Sequence, residues 1–121
     1  MRGEGYLKKP AQYALVYGKG GSWVNPLVVM RAMPNGLIWS RYGFSVSKRV
    51  GKAVRRNRVK RLFREILRLT PVKSGWDIVL IARPAAANAD YASLDKAING
   101  LLSRAGLILV TENEKVCLST D

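Results

Sequence analysis

The chain has no histidine and one cysteine, Cys117, among its 121 residues. Histidine is the side chain best suited to proton transfer near neutral pH and the commonest metal ligand, so catalysis by the protein's own side chains is less expected. A single cysteine excludes an intrachain disulfide. The N-terminal residues also lack an apolar stretch of the length that a secretory signal needs. Together these observations predict a cytoplasmic protein.

Acidic residues and long apolar runs are scarce as well. Eight Asp and Glu residues stand against 21 Lys and Arg, which gives a formal net charge of +13 and a pI near 10.5. The longest apolar runs, such as the one from Ile78 to Ala82, are far shorter than the roughly 20 residues that span a bilayer. We therefore expect a polyanionic partner, with nucleic acid first and an anionic membrane surface second.

What the chain does contain is enough apolar residues, 48%, to bury a core. Its length suits one domain over residues 1–121, in which residues 107–121 are expected either to add an edge strand or to form a loosely ordered tail. Pro10 precedes a short apolar segment and predicts a helix from Pro10 to Tyr17. Asp90 is a candidate cap for a C-terminal helix with an apolar stripe that ends at Gly106.

The remaining apolar segments predict strands. The run from Leu27 to Met30, the turn residues Pro34 to Gly36 and the alternating segment from Leu37 to Ser47 together favour an antiparallel hairpin. The run from Gly75 to Pro84 is almost continuously apolar, which is typical of a strand covered on both faces and predicts a central place in the sheet. These elements predict a small α/β domain.

The segment SVSKRVGKAVRRNRVKRLFREILR, from Ser45 to Arg68, carries ten of the 21 Lys and Arg residues, and Glu65 is its only acid. At about 100° per residue its apolar residues fall on one arc, and its bases form a continuous stripe on another. A solvated helix face usually mixes acids with bases, so this stripe favours binding to nucleic acid. Arginine predominates, and its planar group binds phosphate in a bidentate manner and stacks on bases. The core stripe is Val59, Leu62, Phe63 and Ile66.

The run RYGFSVSKRVGKAVRRNRVKRLFREILR, Arg41 to Arg68, closely resembles the signature of the bacterial ribonuclease P protein component. The likeness extends to LKKPAQYALVYGKG, from Leu7 to Gly20, and to the segment from Trp76 to Leu102. It implies an α+β sandwich that resembles the second domain of ribosomal protein S5. This fold would have a mostly antiparallel central sheet, a short N-terminal helix, a C-terminal helix and a basic helix that crosses between parallel strands in the rare left-handed sense.

The resemblance also implies a function. Members of this family are the protein subunit of a ribonucleoprotein in which the RNA subunit removes the 5′ leader from precursor tRNA with divalent metal ions such as Mg²⁺. It implies no cofactor for the protein alone, and no membrane or protein partner. By position, the residues that would contact the RNA subunit are Ser47, Lys48, Arg49, Lys52, Arg56, Asn57, Arg58, Lys60, Arg61, Arg64 and Arg68.

The resemblance further places a cleft for the single-stranded leader. Tyr13 and Tyr17, four residues apart on one helix face, match aromatics that line this cleft, and Val29 and Arg31 match its floor. Arg31 departs from the aromatic residue that is often found there. Packing of both tyrosines into a core is the alternative interpretation at this stage.

Two other functions remain open from the residues alone. A plain binding module for structured RNA, such as a ribosomal protein, accounts for the charge but not for the signature. A self-sufficient nuclease needs converging carboxylates, and Asp77, Asp90 and Asp95 fall on a strand, a cap and a helix that have no evident point of convergence.

Overall fold

The structure is a computed structural model that describes residues 4–7 and 9–108. The described chain forms five strands and three α-helices, with 3₁₀ turns at Lys48–Val50 and Pro84–Asn88. In chain order the elements are β1 (Glu4–Tyr6), α1 (Pro10–Lys19), β2 (Gly21–Val24), β3 (Val28–Pro34), β4 (Ser40–Ser45), α2 (Ala53–Leu69), β5 (Trp76–Ala82) and α3 (Tyr91–Arg104). No helix in this part of the chain is long and apolar enough to cross a bilayer.

The five strands form one mixed sheet in the order β1-β4-β5-β3-β2. The pairs β1·β4 and β4·β5 are parallel, and β3·β5 and β2·β3 are antiparallel. The α+β class and the central position of β5 are thus confirmed, whereas the expected mostly antiparallel sheet is evenly divided between the two kinds of pairing. Helix α2 connects the parallel neighbours β4 and β5; the left-handed sense of this crossover stays a prediction.

The predicted hairpin between β3 and β4 is wrong, because β5 lies between these two strands. The long apolar run of β5 pairs along both of its edges, with β3 on one side and β4 on the other. The chain passes from β3 to β4 through residues 35–39, where Asn35 shapes the turn. Its Oδ1 accepts from the Leu37 N–H at 2.7 Å, and its Nδ2 donates to the Trp39 carbonyl at 3.1 Å.

The helices begin and end where local chemistry dictates. Pro10 occupies the first turn of α1, where a missing N–H costs nothing. The predicted end at Tyr17 falls two residues short of the observed one, Lys19. The Asp90 side chain accepts from the Ser93 N–H at 2.8 Å and caps α3 as predicted. Hydrogen bonding to Ser93 lowers the pKa of the Asp90 carboxyl.

The sheet separates two apolar layers of unequal size. Helices α2 and α3 cover one face, and the core there contains 19 buried residues, among them Phe63, Met30 and Leu80. Among the elements that the structure describes, the other face carries only α1, which buries Val16 against Leu7 and Val79. Strand β3 shows the same division, since its buried and half-buried residues alternate from Val28 onward. The β3 residues on the second face are therefore only half-buried.

The segment expected to add an edge strand or form a loose tail begins as packed structure. Leu107 is buried, and its carbonyl accepts from the Lys73 N–H at 2.8 Å. Ile108 forms an antiparallel bridge with Val72. The rest of the predicted tail, residues 109–121, lies outside the described residues.

Candidate nucleic-acid interface

Helix α2 has one apolar and one basic face, as its periodicity predicts. Val59, Phe63 and Ile66 are fully buried, and Leu62 is half-buried. Leu67, which the sequence analysis left out of the stripe, is also buried. At about 100° per residue it lies roughly 20° from Lys60, on the boundary of the two faces, so periodicity alone gave a weak signal for it.

The basic face is the outer side of the same helix. Asn57, Arg61, Arg64 and Arg68 are exposed and Lys60 is half-buried, so five of the predicted RNA-contacting residues share one surface. Arg68 donates to the Glu65 carboxylate at 2.6 Å. This exposed ion pair involves the only acid between Ser45 and Arg68. The arrangement concentrates positive charge along a helix of 17 residues, or about 25 Å.

The turn that leads into α2 extends this surface. Ser47, Lys48, Arg49 and Lys52 are all exposed, and the Ser47 hydroxyl accepts from the Arg49 N–H at 3.3 Å. Gly51 follows the 3₁₀ turn with φ of 144°, which side-chain-bearing residues rarely adopt. A Cβ at this glycine would lie 2.9 Å from the Arg55 side chain. The tight turn therefore brings the four residues to the N-terminal end of α2, where the helix dipole also favours anions.

The two arginines that flank Asn57 in the sequence are positioned differently from the exposed bases. Arg56 and Arg58 are half-buried, and each donates to a backbone carbonyl: Arg56 to Gly51 at 3.2 Å and Arg58 to Ala89 at 3.0 Å. Each bond uses one of the five N–H groups of a guanidinium. The two arginines thus join the basic helix to its neighbouring turns and still border the exposed surface.

Tyr13 and Tyr17 lie side by side on α1, with ring centroids 6.3 Å apart. Tyr13 is half-buried: its hydroxyl donates to the Leu7 carbonyl at 3.3 Å, and its ring covers Gly43 of β4. Tyr17 is more open, with 38% of its surface exposed. Tyr13 therefore packs on the sheet while Tyr17 presents its ring to solvent, and contact of this pair with a leader stays a prediction.

Val29 and Arg31 lie on the face of β3 that α1 only partly covers. Arg31 donates from Nη2 to the Tyr17 carbonyl, and its Nε is buried without a hydrogen-bond partner in the structure. Cross-strand register places Val29 opposite Ile81, and Ile81 opposite Ser45. Ile81 and Ser45 therefore extend the floor, and the sequence analysis missed both. Ile81 belongs to the continuous apolar run of β5, which has no alternation that would assign it to one face, and the position of β5 beside β3 was not known.

The acids considered for metal chemistry are each engaged locally. Asp77 is buried and accepts from the Arg41 guanidinium at 2.8 and 2.7 Å and from Asn35 at 2.9 Å. Hydrogen bonding to Asp77 raises the pKa of Arg41. Asp90 caps α3, and Asp95 accepts from Asn99 at 2.8 Å. Within residues 4–7 and 9–108, no three His, Cys, Asp or Glu side chains are grouped as metal ligands.

Comparison with known proteins identifies the family to which the chain belongs. The family model named Ribonuclease P matches residues 1–106. The ribonuclease P protein component of Dehalococcoides mccartyi strain CBDB1 is 45% identical over 121 residues, which is all of both chains. That of Clostridioides difficile strain 630 is 44% identical over 101 residues, covering 81% of this chain and 89% of the relative.

Solved structures give the same result. The RNase P protein of Staphylococcus aureus superimposes with a TM-score of 0.80 at 29% identity, covering 90% of this chain and 100% of that one. The Thermotoga maritima RNase P protein gives a TM-score of 0.73 at 33% identity, covering 82% of this chain and 96% of that one. With a family match over most of its length and relatives this similar, the chain belongs to the family of ribonuclease P protein components.

Proposed function

We propose that this protein is the RNA-binding subunit of a ribonuclease P ribonucleoprotein, in which an RNA subunit hydrolyses precursor tRNA to release its 5′ leader. The observation that supports this most is the juxtaposition of two surfaces. The basic face of α2 adjoins the side of α1 that carries Tyr13 and Tyr17, here called the aromatic wall. The two meet across the edge of one sheet. Structured RNA fits the first surface and single-stranded RNA fits the second.

The basic face is assigned to the catalytic RNA. Arg61, Arg64 and Lys60 lie where phosphates of a large folded RNA can approach, and the turn at Ser47 to Lys52 widens the footprint. Each phosphate contact releases a condensed counterion, so binding on this face is expected to weaken steeply with salt. An anionic membrane is a poorer occupant, because arginine offers planar donors that match phosphate and base edges.

The aromatic wall and its floor are assigned to the leader. Tyr17 offers an exposed ring, Tyr13 fixes the wall to the sheet, and the paired residues Val29 and Ile81 supply an apolar floor. Stacking of a base on an aromatic ring contributes about 1 to 3 kcal/mol by alanine substitution and tolerates any base. Arg31 adds a positive group to this floor where an aromatic is more usual in the family.

Hydrolysis is assigned to the RNA subunit together with its divalent metal ions. The protein's described carboxylates do not fit a resident ion, because Asp77, Asp90 and Asp95 each bind a different local partner. In this scheme the protein increases the affinity of the complex for precursors and supplies no reacting group.

The test is cleavage of a precursor tRNA at low Mg²⁺ by a bacterial ribonuclease P RNA, with and without the protein. Strong stimulation with the cut at the mature 5′ end is the expected result. RNA binding without stimulation would support a plain RNA-binding module instead. Cleavage by the protein in the absence of the RNA subunit would contradict the assignment of hydrolysis to RNA.

Two variants separate the surfaces. Arg61→Ala should weaken binding to the RNA subunit and lower the salt slope of that binding by about 1. Tyr17→Ala should weaken affinity only for precursors that carry a leader. Lys96→Ala, which removes an exposed charge from α3, is the matched control for Arg61 and should leave the slope unchanged. Equal effects of Arg61→Ala and Lys96→Ala would show that α2 is not the interface.

A further inference from the structure

A cavity of about 320 Å³ opens at the edge of the sheet, where β1 has ended and β4 continues. It lies between the aromatic wall and the basic face, and neither assignment above accounts for it. Its volume is at the small end of the range of ligand sites, about 300 to 1,000 Å³. The lining residues that matter here are Tyr6, Tyr13, Gly43, Phe44, Lys60 and Arg64.

One side of the cavity is an aromatic series that is anchored in the core. Phe63 is fully buried, Phe44 lies 5.8 Å from it between ring centroids, and Tyr6 lies 6.0 Å from Phe44. The series ends in solvent, since half of the Tyr6 surface is exposed. An aromatic ring held by one neighbour and open on its other side can accept a stacked base.

The opposite side is cationic. Lys60 and Arg64 are four residues apart on α2, so they project from the same face of the helix. The guanidinium carbon of Arg64 lies 5.9 Å from the centroid of Phe44, which orients this charge toward the aromatic series. Among the residues whose side chains the structure describes, no acid lines the cavity, and Glu65, which follows Arg64 in sequence, binds Arg68.

We infer that this cavity binds one nucleotide of a single-stranded RNA segment, with its base stacked on Tyr6 and its phosphate held by Lys60 and Arg64. The inference rests on the proposed function in one respect, namely that the basic face of α2 contacts RNA. Tyr13 lines this cavity and also belongs to the aromatic wall, so the site connects the two surfaces. The nucleotide can come from the precursor leader or from a loop of the RNA subunit, because both offer the same chemistry.

The experiment compares three substitutions of one residue. Tyr6→Ala removes the ring, Tyr6→Leu keeps an apolar contact with Phe44 without a ring, and Tyr6→Phe keeps the ring without its hydroxyl. Ile38→Ala, which removes an exposed apolar side chain from the turn between β3 and β4, is the control. Thermal unfolding of each variant reports whether the loss of contact with Phe44 affects the fold.

Affinity is measured in three arms. The first arm measures the affinity of the reconstituted complex for tRNA with and without a leader. The second measures the affinity of the protein for the RNA subunit. The third measures the affinity of the protein for a fluorescently labelled single-stranded adenosine decamer. Tyr6→Ala and Tyr6→Leu should weaken binding by about fivefold to tenfold, the low end expected for stacking on a half-exposed ring. Tyr6→Phe and Ile38→Ala should stay within about twofold of the unmodified protein.

The arms distinguish the source of the nucleotide. A loss confined to leader-bearing precursors assigns the site to the leader, and a loss with the RNA subunit alone assigns it to that RNA. The inference is overturned if affinity in no arm depends on Tyr6, or if Tyr6→Leu binds as tightly as the unmodified protein. It is also overturned if Tyr6→Phe loses as much affinity as Tyr6→Ala or Tyr6→Leu. Failure of the proposed function would appear differently, as absence of stimulation by the unmodified protein, and the decamer arm would still test the cavity.

Discussion

Gly43→Ala tests how the aromatic wall is held against the sheet. A Cβ at this position would lie 2.7 Å from Cε1 of Tyr13 and 2.8 Å from its Cζ and hydroxyl oxygen. Ordinary van der Waals contact begins near 3.4 Å, so the ring has to move by about 0.7 Å to restore it. The hydrogen bond from Tyr13 to the Leu7 carbonyl is already 3.3 Å long and is expected to break.

The expected cost in stability follows from this overlap. Inserting a methyl group into a packed site typically costs about 1 to 3 kcal/mol, and the value here should be at the low end because the ring of Tyr13 is only half-buried. Leader affinity should fall as well, by less than the roughly 1 to 3 kcal/mol that removal of a stacking ring costs. Affinity for precursors without a leader should not change.

Urea unfolding and equilibrium binding of the reconstituted complex measure the two effects. Gly100→Ala is the matched control: nothing lies within 4 Å of its Cβ position in α3, so it should stabilise the protein by about 0.5 to 1 kcal/mol and leave affinity unchanged. The reasoning also requires coupling between the two residues. If Gly43→Ala is as costly in a Tyr13→Ala background as in the unmodified chain, contact with Tyr13 is not the cause.

Three further predictions concern the scaffold. Asp77→Ala should cost about 2 to 3 kcal/mol in urea unfolding, because it leaves the partly buried Arg41 without its carboxylate; a loss below about 0.5 kcal/mol, typical of surface pairs, would contradict this. Phe63→Ala should cost about 3 to 5 kcal/mol and leave a domain of this size near its unfolding threshold, seen as a lowered Tm, unless the core collapses into the space. At pH values above the ordinary pKa of a carboxyl, about 4, the Asp90 cap stabilises the fold. This contribution should disappear as the pH falls through the lowered pKa of the folded state. If Asp90→Asn is equally sensitive to acid, another group is responsible.

The sequence predicted those parts of the molecule whose signals are local. The division of α2 into two faces follows from period 3.6, and the cap at Asp90 and the first turn at Pro10 follow from the chemistry of single residues. Strand β5 was identified as central because an apolar run with no polar alternation must be covered on both faces. Each of these predictions is confirmed.

The errors concern which segments lie side by side. A turn sequence after β3 favoured a hairpin, but a turn also suits a chain that passes over the end of a third strand, and local composition does not distinguish the two cases. Ile81 and Ser45 were missing from the predicted cleft for the same reason. The face of the sheet on which they lie is known only once β5 is placed between β3 and β4. Tertiary pairing, rather than propensity, decided these points.

The unequal layers of the sheet have a consequence for cooperativity. Helix α1 is held by the small cluster of Val16, Leu7 and Val79, whereas α2 and α3 share the large core. Amide hydrogens of α1 should therefore exchange through a partial opening that costs less free energy than global unfolding, while those of α2 and β5 exchange only with the whole domain. In that partly open form the basic helix keeps its structure and the aromatic wall does not, so under the proposed function contact with the RNA subunit would outlast contact with the leader.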